Sequence, residues 1–184
     1  MKSILFAASV AFSASAAQAT TITFGPTSAG GIGPNIAFDN LVTPTTITGD
    51  ATFTFSVRGD LDATNENVLV SIDGFSLGRV LDADPSNDSF DFAGDEGSAN
   101  AILRTGSATI SNAVFSSLIN DGFLNLFFDF SSTVNFAGSV NELYGSITFT
   151  SSVAPVPLPA SSIMLGLGLL GLGGLRRRKS RQAN

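Results

Sequence analysis

Polar and apolar residues alternate along the middle of the chain. In Thr52-Phe53-Thr54-Phe55-Ser56-Val57 every second side chain falls on the same side of an extended backbone, the pattern of a half-buried strand. Val68-Leu69-Val70-Ser71-Ile72 is more continuously apolar and suits a central strand. Asp73-Gly74 supplies a turn and Phe75-Ser76-Leu77-Gly78 restarts the extended pattern, so 68–80 is predicted to be a hairpin. Further strands are expected at Ile22–Phe24, Ser107–Ile110, Leu124–Phe130 and Ser146–Ser152, while Phe115–Ile119 fits either a strand or one helical turn. No internal repeat at a fixed period interrupts this series. Sixteen Phe, many Thr and Ser, and Gly, Asn and Asp between the apolar segments make the pattern all-β. We expect a jelly-roll-like antiparallel β-sandwich over residues 20–152. Such a domain is large enough for a core of its own.

The two ends follow different rules. Lys2, an apolar run from Ile4 to Phe12, and Ala17-Gln18-Ala19 form a signal peptide over residues 1–19. Ala17 and Ala19 are the small residues that signal peptidase needs before a cut at Thr20. At the other end, residues 153–160 are a proline-stiffened linker carrying Val156-Pro157-Leu158-Pro159-Ala160. Residues 161–175 are apolar and uncharged, and residues 176–184 begin with the basic cluster Arg176, Arg177, Arg178, Lys179 and Arg181. As a helix, Ala160–Leu175 would reach roughly 24 Å, short of a hydrocarbon core of about 30 Å. Snorkelling of Arg176 and Arg177, or local thinning, covers the difference. The glycines of this segment weaken a helix in water but are common in membrane helices. A single C-terminal transmembrane helix is therefore expected. Its basic end would stay in the cytoplasm and the domain would lie outside.

The pentapeptide Val156–Ala160, the Gly/Leu-rich segment and the basic end together resemble the VPLPA-CTERM sorting signal. That signal is a variant of the PEP-CTERM family of bacterial C-terminal sorting domains. The resemblance covers about Pro155 to Arg181. In the commoner pattern Glu stands between the two prolines, where this chain has Leu158. The resemblance implies recognition by an exosortase-type membrane transpeptidase, with cleavage near the motif and release or transfer to the cell surface. This chain would be the substrate of that enzyme.

Charge and composition narrow what the domain can do. Of nine basic residues, Lys2 is in the signal and five are in the tail, leaving Arg58, Arg79 and Arg104. All fifteen acids lie between Thr20 and Pro159, so that stretch has a formal charge of −12. Such a surface repels phosphate backbones and argues against nucleic-acid partners. With no Cys and no His, the domain has no disulfides, no thiol or Ser-His-Asp chemistry, and no zinc ligation by those side chains. Trp is absent and Tyr144 is the single tyrosine, which weakens the usual aromatic platform for sugars. Gly166-Leu167-Gly168-Leu169-Leu170-Gly171 fits a dinucleotide fingerprint but follows no strand and lies inside the apolar segment.

The acidic loops are the candidate metal ligands. Asp60, Asp62 and Glu66 sit between two predicted strands, and Asp82, Asp84 and Asp88 follow the hairpin. Clusters offering only oxygen suit Ca²⁺. Asp82, Asp84 and Ser86 match the first ligand positions of an EF-hand, but Asn87 and Ala93 stand where that loop needs Gly and Glu. The alternative reading is that these are solvated turn residues.

Three functional classes remain: a non-catalytic surface or matrix protein, a Ca²⁺-dependent lectin-like module acting on exopolysaccharide, and a glycoside hydrolase using paired carboxylates. The first is the expected one, and no enzyme is expected.

Overall fold

Residues 17–92, 102–135 and 140–152 are described by a computed structural model of the chain. Residues 1–16 of the expected signal peptide 1–19, and the tail with the sorting motif, the expected membrane helix and its basic cluster, lie outside the described residues. The described residues form one compact unit, Ala17–Ser152. Among them no helix is long and apolar enough to cross a membrane.

The alternating segments become nine strands and one short helix among the described residues. They are β1 (Ala17–Ala29), β2 (Asn35–Val42), β3 (Ile47–Gly59), β4 (Val68–Ile72), β5 (Phe75–Val80), β6 (Phe90–Phe92), β7 (Arg104–Ile110), α1 (Asn112–Leu118), β8 (Phe123–Phe130) and β9 (Val140–Ser152). They pair antiparallel in two sheets, ordered β1-β9-β3-β7-β6 and β2-β8-β4-β5. The expected all-β sandwich of antiparallel sheets is what forms.

The predicted hairpin is β4–β5. Its turn residues Asp73 and Gly74 have φ of 47° and 79°. Two successive positive φ values give the primed turn whose twist matches paired strands, and Gly adopts one without strain. The ambiguous segment 115–119 resolves to α1 and the turn after it. Helical spacing puts Phe115 and Ile119 on one face, and both are fully buried. β2 and β6 have no counterpart among the expected strands.

The core lies between the sheets. Phe53, Phe55 and Val57 of β3 are fully buried, as are Leu124, Leu126 and Phe128 of β8. Rings from the two sheets meet directly: Phe55 and Phe128 have centroids 5.2 Å apart, and Phe24 and Phe38 4.9 Å. Phe55 also takes Phe90 edge-on at 5.0 Å and Phe92 at 5.2 Å. Gly145 of β9 faces this cluster, and a Cβ there would run into the Thr54 carbonyl oxygen and the Phe24 ring. Its missing side chain is what lets Phe24 pack down onto β9.

Phe55→Ala should cost about 3–5 kcal/mol, because it opens a cavity at the point where both sheets touch one ring. Thr52→Ala, on the solvent side of the same strand, should cost no more than about 0.5 kcal/mol. Urea titration of both variants measures the difference, and similar losses would contradict the placement of this core.

Candidate functional site

Three of the six acidic candidates come together. β3 ends at Gly59, and the loop that follows carries Asp60, Asp62 and Glu66, each with a carboxylate oxygen within 4.8 Å of the others. Backbone geometry holds them there. Glu66 folds back over its own loop, and its Oε2 accepts the N–H of Asp62 at 2.7 Å and of Ala63 at 2.9 Å. Asp60 is 4% exposed, and its Oδ2 accepts the Asn135 N–H at 2.9 Å. Asn67, also buried, ties the far end of the loop to Ser131, whose hydroxyl receives its N–H at 3.2 Å. The loop is therefore strapped to the segment after β8 at both ends.

Crowding the carboxylates has an electrostatic cost. Burial raises the Glu66 pKa above its ordinary 4.5, and the hydrogen bond with the Asp62 side chain and the Asp60 charge raise it further. The N–H groups of Asp62 and Ala63 act in the opposite direction without cancelling the rise.

The other three candidates are separate from this group. Asp82 Oδ1 accepts the Asp84 N–H at 3.0 Å and its Oδ2 accepts the Asn87 amide at 2.8 Å. Asp84 accepts both the N–H and the hydroxyl of Ser86, which lowers its pKa. Asp88 accepts the Phe90 N–H. These carboxylates are occupied in shaping their own turn, as Asp does in turns generally.

A feature not read from the sequence covers the solvent side of the five-stranded sheet. Thr21, Thr148, Thr52 and Thr109 are successive cross-strand partners, and so are Thr23, Ser146, Thr54 and Ser107. Tyr144, Ser56 and Thr105 make a third rank, in which Ser56 is buried. Hydroxyls bond along the ranks, Thr21 to Thr148 at 3.1 Å and Ser56 to Thr105 at 2.7 Å. The signal was present in each strand as Thr or Ser at every second position, but the ranks need the strand order.

Ala17 and Ala19 lie in β1, opposite Ser152 and Thr150 of β9. Removal of residues 1–19 would shorten β1 by its first three residues. The sorting pentapeptide and the basic cluster lie outside the described residues, four positions and more beyond the end of β9.

Residues 155–179 match the family model of the PEP-CTERM protein-sorting motif. The chain carries a PEP-CTERM sorting motif. The matched span contains Val156–Ala160, the apolar segment and Arg176–Lys179. It is the signature of an exported protein directed to the cell surface through a C-terminal signal read by an exosortase. No curated protein matches the chain.

The raised Glu66 pKa has a defined consequence. Its neutral form favours the folded state below about pH 4.5, and that contribution is lost as pH rises through the higher folded value. Glu66→Gln, neutral at every pH, should be more stable than the parent near pH 7 and lose that advantage near pH 4. Paired urea titrations at the two pH values read this. A difference that does not change with pH would mean that ionised Glu66 is not strained.

Proposed function

We propose that this chain is an exported surface protein with a non-catalytic, interaction-bearing β-domain. The signal peptide 1–19 would be removed by signal peptidase. The segment 161–175 and its basic end would then hold the chain in the membrane, with the domain outside. An exosortase-type enzyme would act at Val156–Ala160 and leave the domain at the cell surface or in the extracellular matrix. The match at residues 155–179 carries this reading. The composition supports the non-catalytic part, since the domain has no His, no Cys and no Trp. The sheet orders, with the short β6 set aside, support the jelly-roll reading: four strands in each sheet, and β1 to β4 alternating between sheets.

Two variants separate sorting from simple anchoring. Deleting Val156–Asn184 should convert a retained protein into a freely secreted one, because export remains while the apolar segment is gone. Replacing Pro157 and Pro159 by Ala should leave the protein in the membrane at its larger mass, because the anchor is intact and the motif is not. Prolines keep such a segment extended and open to an enzyme. Fractionation and immunoblotting read both. Processing of the double variant as efficient as that of the parent would make the tail an ordinary anchor.

The convergence of Asp60, Asp62 and Glu66 favours a second property, weak binding of structural Ca²⁺. Extracellular modules commonly hold Ca²⁺ at about 10⁻⁴–10⁻³ M. At tenfold excess over such a Kd, Ca²⁺ would add about 1.4 kcal/mol of stability. Asp60→Asn should abolish the gain and Asp84→Asn should not. A melting temperature indifferent to millimolar Ca²⁺ would leave the loop as a solvated turn.

A further inference from the structure

At one corner of the hydroxyl-covered sheet the surface opens into a groove of about 330 Å³. It is lined by Thr23, Phe24, Gly25 and Pro26 of β1 and by Glu142, Tyr144 and Gly145 of β9. The volume sits at the low end of the range for small-ligand sites, about 300–1,000 Å³. It has room for a single ring rather than a long chain.

The geometry points to this groove as a binding site for a neutral sugar unit, with the rest of a polysaccharide running over the hydroxyl ranks beside it. Three features carry the assignment. First, Tyr144 is the single tyrosine of the chain, is only partly covered, and stands in the groove with the Pro26 ring. An aromatic face and a proline ring suit the C–H face of a sugar, and the phenol adds a donor and acceptor at its rim. Second, Glu142 pairs with Arg58 across β9 and β3 at 2.8 Å, with their side chains 31% and 43% exposed. An ion pair that open to water contributes little to stability. It does offer paired acceptors and donors to vicinal hydroxyls, with no net charge of its own. Third, the ranks leading from the groove carry Thr and Ser hydroxyls across four strands, so a chain of sugar units would meet hydrogen-bonding partners beyond the first ring.

Charge selects among polysaccharides. The exported stretch carries fifteen acids against three basic residues, so a polyuronate would be repelled as it approached the domain. The ligand class is therefore a neutral glycan rather than an anionic one. The inference depends on the surface-protein reading only for where such a glycan would be met. Binding is a property of the domain and is measured without sorting.

The test uses the full chain in a detergent without a sugar headgroup. Retention is measured on cellulose, in dextran-loaded affinity gels and, as the anionic comparison, in alginate-loaded gels. The parent should be retained by at least one of the two neutral glucans and not by alginate. Tyr144→Ala should weaken that retention at least tenfold, and Tyr144→Phe, which keeps the ring, by less than about threefold. Thr23→Val should weaken it with little change in melting temperature, so that loss of binding is not loss of fold. Phe127→Ala, exposed on the opposite sheet, should leave it unchanged. The assignment is overturned by no retention on either glucan, by equal retention on alginate, or by retention indifferent to Tyr144→Ala. A chain that escapes sorting but still binds glucan would overturn the sorting reading alone.

Discussion

The contact of Phe55 with Phe128 joins the two sheets, and much of the architecture depends on rings meeting there. The chain has no cysteine, so no disulfide can restrict its unfolded state. Stability outside the cell must come from burying apolar surface between two layers. A ring at the centre of each sheet, 5.2 Å apart, brings Phe53, Phe90 and Phe92 to the same cluster through edge-on contacts. Aromatic pairs of this kind add about 0.5–1.5 kcal/mol beyond the area they bury. The glycine opposite, Gly145, is the local sacrifice: it weakens β9 as a strand and makes the space that Phe24 fills.

The five-stranded sheet behind that cluster cannot close until β9 is present. β9 is the last of the described strands, yet it lies inside the five-stranded sheet between β1 and β3. Thr20 and Ser151 bond across 131 residues of sequence. Pairing so remote is slow to form, because loop closure has to be met before the contacts reward it. In an exported chain, β1 leaves first and β9 last, immediately before the sorting segment. The ladder of β1 with β9 also brings the start of the domain beside its end. Ala17 and Ser152, at the ends of this ladder, are cross-strand partners.

How legible this was depended on distance along the chain. The alternation at 52–57 and the hairpin at 68–80 were readable because they are local, with a period of two and a two-residue turn. β2 was hidden because its alternation breaks at Asp39-Asn40, where the strand shifts register and Asn40 takes φ of 57°. β6 is three residues within an acidic stretch, too short for a period to show. Asp60, Asp62 and Glu66 were close enough in sequence to suggest a cluster. Asp82, Asp84 and Asp88 looked the same on paper. They differ in the structure: the first three bring carboxylate oxygens within 4.8 Å of one another, while each of the second three accepts a hydrogen bond from a neighbour in its own turn and stays apart from the others. Thr23 and Tyr144 stand together only because β1 and β9 pair, which no local pattern announces.

The distribution of charge joins the two halves of the molecule. Five basic residues follow the apolar segment, while all fifteen acids belong to the exported stretch. On the proposed topology the basic residues would hold that end in the cytoplasm, and the acidic domain would repel other acidic copies and polymers. Within that acidic domain, the ranks from Thr21 to Thr109 and from Thr23 to Ser107 carry hydroxyls without charge. On the neutral-glycan proposal, long-range repulsion would keep anionic partners away from the surface. A neutral partner would feel no such barrier, and short-range hydrogen bonding on this face would decide what stays. Selectivity would then come from the charge around the sheet, and retention from the residues on it.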